Sequence, residues 1–166
     1  MIDAGSQLDI DTTYAEIKKW RPDTPVKAAI FTHHHVDHIF AVKHFDEENK
    51  KMGISKPIVY GHELMPDHFD RYIKTNDWNT ALNRRQFAID VEHFKWPTEY
   101  RYPDITYKHD ISFKCGDLTF NLHHARGETD DHTWIHVPEE KLIAPGDLFI
   151  WACLLYTSDA ADDDHC

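Results

Sequence analysis

Cysteine is scarce in this chain. Cys115, Cys153 and Cys166 are too few and too scattered for a disulfide framework, and Cys115 reads as a buried or half-buried thiol in a strand. Long apolar runs are missing too: none approaches the roughly 20 residues that a membrane-spanning helix needs. No charged-then-apolar signal segment opens the sequence, and no internal repeat is visible. Positive charge is in short supply. Lys and Arg number 18 against 29 Asp and Glu, a formal net charge of −11. That balance argues against a general nucleic-acid binder, which needs a basic footprint. With 166 residues, 41% of them hydrophobic, the chain suffices for one domain with a real core.

Histidine is the exception to this restraint. His33-His34-His35-Val36-Asp37-His38 follows the apolar run Ala28-Ala29-Ile30-Phe31-Thr32, which reads as a buried strand. Neutral imidazole and carboxylate suit Zn²⁺, Fe or Mn²⁺, and a metal so held turns bound water into hydroxide near neutral pH. In an extended segment alternate residues point one way, so His33, His35 and Asp37 would converge where adjacent residues cannot. His38, at the turn into the next helix, then joins Asp37 on a second ion. A tag or a solvated loop explains a terminal histidine run, but not one followed inside the chain by Val-Asp-His.

Thr32-His33-His34-His35-Val36-Asp37-His38 resembles the signature of the metallo-β-lactamase superfamily, αββα-sandwich hydrolases with one or two metals. The resemblance implies an α/β fold, here a partial metallo-β-lactamase αββα sandwich. It assigns His33 and His35 to one ion, and Asp37 and His38 to the other. His34 matches no ligand position and is expected to point away.

The remaining ligands are expected downstream. Where most of the superfamily has Gly-His-Thr, this chain has Gly127-Glu128-Thr129, which resembles the alkyl-sulfatase-like branch that uses glutamate there. In that branch a second acidic ligand follows nineteen residues later, and Asp147, in Pro145-Gly146-Asp147-Leu148, stands nineteen residues after Glu128. The resemblance therefore implies Glu128 on the first ion and a bridging Asp147. His123, His124 and His132 remain rivals of Glu128, and His132 could instead orient a metal-binding carboxylate by hydrogen bond. A glutamate in place of a histidine makes the site more anionic and harder, so Mn or Fe competes better with zinc. Asn83-Arg84-Arg85-Gln86-Phe87 faintly resembles an arginine-bearing segment near the substrate site of the same branch. Arg84 or Arg85 could grip a sulfate or phosphate oxygen bidentately; an exposed helix face is the other reading.

Around these motifs, Asp11 or Thr12 could cap a helix through about Trp20, with Ile17 and Trp20 on one face. Ile39, Val42 and Phe45 predict a helix after the histidines, and Pro57-Ile58-Val59-Tyr60-Gly61 predicts a short buried strand. Residues 66–96 turn polar and aromatic, with helical pieces. Alternation at Ile111, Phe113 and Cys115, then at Leu118, Phe120 and Leu122, predicts a hairpin. Trp134–Val137 and Leu142–Ala144 predict another. His62 and His68 read as surface or capping residues.

Residues 1–153 thus read as a metallo-β-lactamase-like core fragment with an insertion at about 63–100. Residues 154–166 continue no earlier pattern and read as a non-native tail resembling a translated sequencing-adaptor read, with a natural acidic tail as the alternative. Against the resembled family, the opening strands and a last histidine ligand are missing, so the chain reads as incomplete at both ends. The implied function is a metal-dependent hydrolase with two zinc ions. Hydroxide between them, held by Asp37 and Asp147, attacks a small-molecule ester, with sulfate esters first and phosphate, lactone or thioester substrates behind. The alternative is a truncated, catalytically incompetent metal-binding fragment of such an enzyme. Oligomeric state and localisation are not legible.

Overall fold

Parallel strands covered on both faces read as unbroken apolar runs, whereas antiparallel hairpins alternate, and this chain uses the two kinds in turn. A computed structural model describes residues 1–89 and 94–148. The tail assigned to 154–166, with Cys153 and Cys166, lies outside them. The first sheet holds β1 (Ala28–Ile30), β2 (Ile58–His62) and β3 (Ile105–Tyr107), all parallel in the order β1-β2-β3, with Ile2 bridging to Ile30. The second is an antiparallel meander of β4 (Asp110–Cys115), β5 (Leu118–His124), β6 (Thr133–Val137) and β7 (Leu142–Ala144). Both expected hairpins are present, and Cys115 is a half-buried free thiol on β4.

The sheets pack face to face. Ile30, Tyr60 and Tyr107 of the first meet Leu122, Ile135 and Val137 of the second, and the Tyr60 and Phe113 rings stack at 4.0 Å. The opposite face of the first sheet carries the helices α1 (Ile10–Trp20), α2 (Val42–Lys51) and α3 (Met65–Lys74). Ala29, Phe31 and Val59 pack there with Val42, Phe45 and Phe69. A fourth helix, α4 (Asn76–Gln86), follows α3 and buries no residue of its own. Among the described residues the layers are therefore helix, sheet, sheet: a mixed α/β fold. None of their helices is long and apolar enough to cross a membrane.

Local expectations differ from the structure at three points. The α1 helix starts at Ile10, two or three residues earlier than a cap at Asp11 or Thr12 would set it, and Asp9 accepts a bond from the Ser6 hydroxyl instead. Ile10, Tyr14 and Ile17 face the core, but Trp20 is 85% exposed. Three residues turn a helix about 60° short of a full turn, which carries Trp20 off a stripe centred on Ile10, Tyr14 and Ile17. The β3 strand was not expected, because three residues are too short to show a period.

Candidate metal centre

The β1 strand stops at Ile30, so the histidine motif sits on the loop that leaves its carboxyl end. A turn brings its side chains together, rather than extended alternation. The His38 N–H donates to the His35 carbonyl at 3.2 Å, and the His33 ring lies 4.6 Å from that of His35 and 4.3 Å from that of His38. Two further loops, following β5 and β7, supply carboxylates. His33 Nε2 and His35 Nδ1 stand 3.4 and 2.9 Å from the same oxygen, Oε2 of Glu128. His38 Nε2 lies 3.4 Å from Asp37 Oδ2 and 3.4 Å from Asp147 Oδ2. Candidate ligand atoms of His33, His35 and Glu128 lie within 4.8 Å of one another, as do those of His33, His38 and Asp147. Five of the expected residues, His33, His35, His38, Glu128 and Asp147, thus fall into two groups that share His33, and Asp37 stands beside His38.

Asp3, to which no role was given from sequence, orients this cluster. The Thr32 hydroxyl donates to Asp3 Oδ2 at 2.9 Å, which leaves Thr32 Oγ1 to accept from His33 Nδ1 at 3.0 Å. His38 Nδ1 donates to the same Asp3 oxygen at 2.8 Å, and the Thr32 N–H donates to Asp3 Oδ1. Both imidazoles are therefore held by Nδ1–H, which turns their Nε2 atoms toward the carboxylates. Asp3 takes φ = 51°, a left-handed conformation that Asp tolerates better than most residues.

The electrostatics separate the two histidines. Burial, then the neighbouring His38 and His35, push the His33 imidazole down to about 2, so it stays neutral. Its Nε2 is buried without a hydrogen-bond partner. An aimed, neutral and unpartnered nitrogen beside carboxylates suits a cation, and the donor set fits a divalent metal. Burial opposes charge on His38 as well, but its bonds to Asp3 and Asp37 outweigh this and raise it to about 10. The same contact with His38 is the main cause holding Asp37 down at about 2.

His132 sits under this cluster, fully buried, its ring 5.3 Å from that of His33. Neither of its ring nitrogens has a hydrogen-bond partner, so it makes no bond to Glu128 or Asp147. Gly146 permits this packing. At φ = 54°, a Cβ there would stand 2.8 Å from Thr32 Cβ and 2.9 Å from His132 Nε2. Left-handed strain and overpacking together predict that Gly146→Ala loses about 3 kcal/mol of stability, read from denaturant midpoints. Wild-type stability would contradict this packing.

His34 turns to another partner. Its Nδ1 donates to Asp131 Oδ1 at 2.9 Å, and the Thr129 hydroxyl donates to the same oxygen at 2.6 Å. Arg71 Nη2 donates to His34 Nε2 at 3.3 Å, and the His68 ring stacks on His34 at 4.0 Å. Asp131, fully buried, thus joins the loop of His33 and His35 to the loop of Glu128. His68 is an ion-pair partner of Asp130, and His62 is buried, capping Leu64 N–H rather than lying at the surface. His123 and His124 bond to Asp110 and to the His132 carbonyl, away from the cluster.

A cavity of about 590 Å³ opens beside His35, Asp37, Glu128 and Asp147. The α4 helix turns Asn79, Asn83 and Gln86 into it. Arg84 and Arg85, two exposed residues of that helix, do not line it. The helix face that reaches the site presents amides in place of the expected guanidinium grip.

A family model described as "Metallo-beta-lactamase superfamily" matches residues 1–165. A hydroxyacylglutathione hydrolase of Aeromonas salmonicida (strain A449) is 28% identical over 142 residues, which cover 81% of this chain and 50% of that protein. Among solved structures, the stereoselective inverting sec-alkylsulfatase Pisa1 from Pseudomonas sp. matches with a TM-score of 0.63 at 18% identity, over 86% of this chain and 25% of its own. A Cronobacter sakazakii metallo-β-lactamase with an HARLDQ motif matches with a TM-score of 0.61 at 16% identity, over 93% of this chain and 54% of its own. The chain spans about half the length of the curated relative it matches. At such identities the solved structures establish the shared fold.

Proposed function

This chain belongs to the metallo-β-lactamase superfamily, whose members are metal-binding hydrolases, and on that premise we propose that it carries most of the active site of a dinuclear ester hydrolase. The observation behind this reading is the meeting of His33, His35, His38, Glu128 and Asp147, from three loops, around the buried, unpartnered His33 Nε2, with Asp37 3.4 Å from His38 Nε2. In this reading His33, His35 and Glu128 hold one divalent cation, and Asp37, His38 and Asp147 hold the other. When bound, such a pair supplies Lewis acidity and a water acidic enough to attack near neutral pH. Asp37 and Asp147 flank His38 Nε2 and orient the attacking water between them. Asp3 and Thr32 hold the two imidazoles in the tautomer that presents Nε2. Zinc is the proposed metal, and the three carboxylates make Mn or Fe more competitive with it than a histidine-richer site would. The insertion at 63–100 contributes α3 and α4, which wall the cavity.

A second reading is that the chain binds metal without turnover, because it spans half of its curated relative. The two separate in one experiment. The zinc-loaded chain is assayed on nitrophenyl acetate, sulfate and phosphate, before and after chelation. Turnover of at least one ester, abolished by chelator and restored by zinc, is expected. Bound zinc with no turnover of any of them selects the second reading.

A further inference from the structure

Resting on the reading of this site as a hydrolase centre, we infer that its substrate is an uncharged acyl ester whose apolar chain lies in the cavity beside the ligands, rather than an anionic sulfate ester. At about 590 Å³ the cavity is of ordinary small-molecule size. Its lining divides by chemistry. Val36, Tyr72, Phe94 and Trp96 supply apolar and aromatic surface next to His35 and Asp37. Leu8 and Phe87 line it too, although they are 53% and 64% exposed. Large apolar side chains left open at a cavity mouth are surface that an apolar ligand would cover. The polar part of the lining away from the ligands is uncharged: Asn79, Asn83 and Gln86 offer amide donors and acceptors. The Tyr72 phenol, pushed up to about 12 by burial, stays neutral beside them.

Charge points the same way. Asp37, Glu128 and Asp147 face the cavity, and among the described residues no lysine or arginine lines it. Residues 90–93 and 149–166 contain neither. With two divalent cations bound, these three carboxylates and one hydroxide balance the metals' charge, so an anionic sulfate ester would lose hydration for no net attraction and would meet no cationic side chain along the cavity. A neutral acyl chain loses little and gains burial. Hydrolysis adds the hydroxyl of water to the acyl carbon, breaks the bond from that carbon to the ester oxygen, and leaves the water's proton on the departing alkoxide. The products are a carboxylic acid and an alcohol.

The test has a kinetic arm and a binding arm on the zinc-loaded chain. In the first, kcat/KM is measured for nitrophenyl acetate, butanoate and hexanoate, and is expected to rise about fourfold per added methylene. In the second, methyl ketones and alkyl sulfates of matched chain length are titrated against tryptophan fluorescence. The ketones should bind about fourfold tighter per methylene, and each sulfate at least about tenfold more weakly than its ketone. Leu8→Lys, at an exposed position that leaves folding aside, should flatten the chain-length series and strengthen sulfate binding. Turnover without a chain-length trend, sulfates that bind as tightly as ketones, or a Leu8→Lys protein unchanged in both arms would overturn the inference while leaving the hydrolase reading intact. Graded ketone binding without turnover of any ester would support the cavity assignment and remove the hydrolase reading instead.

Discussion

Asp131→Ala is expected to lower folding stability by about 3 kcal/mol and to weaken zinc binding about 10- to 100-fold, although Asp131 is not a proposed ligand. The carboxylate is fully buried and takes bonds from His34 and Thr129. Without it, the His34 Nδ1–H is left buried and unpaired, and the two ligand loops lose their cross-link. Burial alone would raise this carboxyl group, but the His34 bond outweighs it and holds it well below the usual carboxylate range. A depressed folded value contributes stability that is present above the unfolded value, about 3.9, and lost as the pH falls through the folded one. Wild-type protein should therefore lose stability in acid more steeply than Asp131→Asn, which has no such group to protonate. Urea midpoints measured across that acid range check the slope, and calorimetric zinc titration of Asp131→Ala checks the affinity. A variant with wild-type stability and zinc affinity would show that the cross-link carries no load.

The second large effect concerns protons. In the metal-free protein His38 is raised to about 10, so it enters neutral solution protonated on both nitrogens. A metal takes the neutral ring. Its uptake at His38 must displace the Nε2 proton, and apparent affinity at that position should tighten about tenfold per pH unit from about pH 6 to about pH 8. His33, already neutral, contributes no such slope. Nitrogen NMR of the His38 ring should show a cationic imidazole without zinc at about pH 8 and a neutral one with it. A His38 ring already neutral there in the metal-free protein, with zinc affinity flat across this range, would contradict the assigned Asp3–His38–Asp37 arrangement.

The parts of this molecule legible in its sequence are those with a period or a fixed spacing. The hairpin at Ile111–Leu122 alternates over enough residues to be read, and Ile39, Val42 and Phe45 announce α2 by their spacing, whereas the buried face of α1 is set by Ile10, Tyr14 and Ile17 rather than by the expected Ile17 and Trp20. The histidine motif was legible as residue types at set distances, while Glu128 and Asp147 could be named beside it only through the resemblance to the alkyl-sulfatase-like branch. What escaped was the support. Asp3 lies 29 residues from Thr32 and 35 from His38, and Asp131 lies 97 from His34. Side chains that act across such separations leave no local pattern, and their partners appear only once the sheets bring the loops together. Between the two readings of Arg84 and Arg85, an anion grip or an exposed helix face, the structure matches the second, for a related reason. A helix turn of about 100° per residue decides which of Asn83, Arg84, Arg85 and Gln86 meets the cavity, and the exposed α4 has no apolar stripe to fix that rotation in advance.

The central claim is that two ions share this cluster, one held with Glu128 and the other with Asp147. Zinc content per chain, measured after equilibration and gel filtration on the wild type, Glu128→Ala and Asp147→Ala, addresses it directly. The account predicts two zinc ions in the wild type and one in each variant, with nitrogen and oxygen ligands alone in the X-ray absorption spectrum. One ion or fewer in the wild type, or two retained when Glu128 is removed, would contradict it.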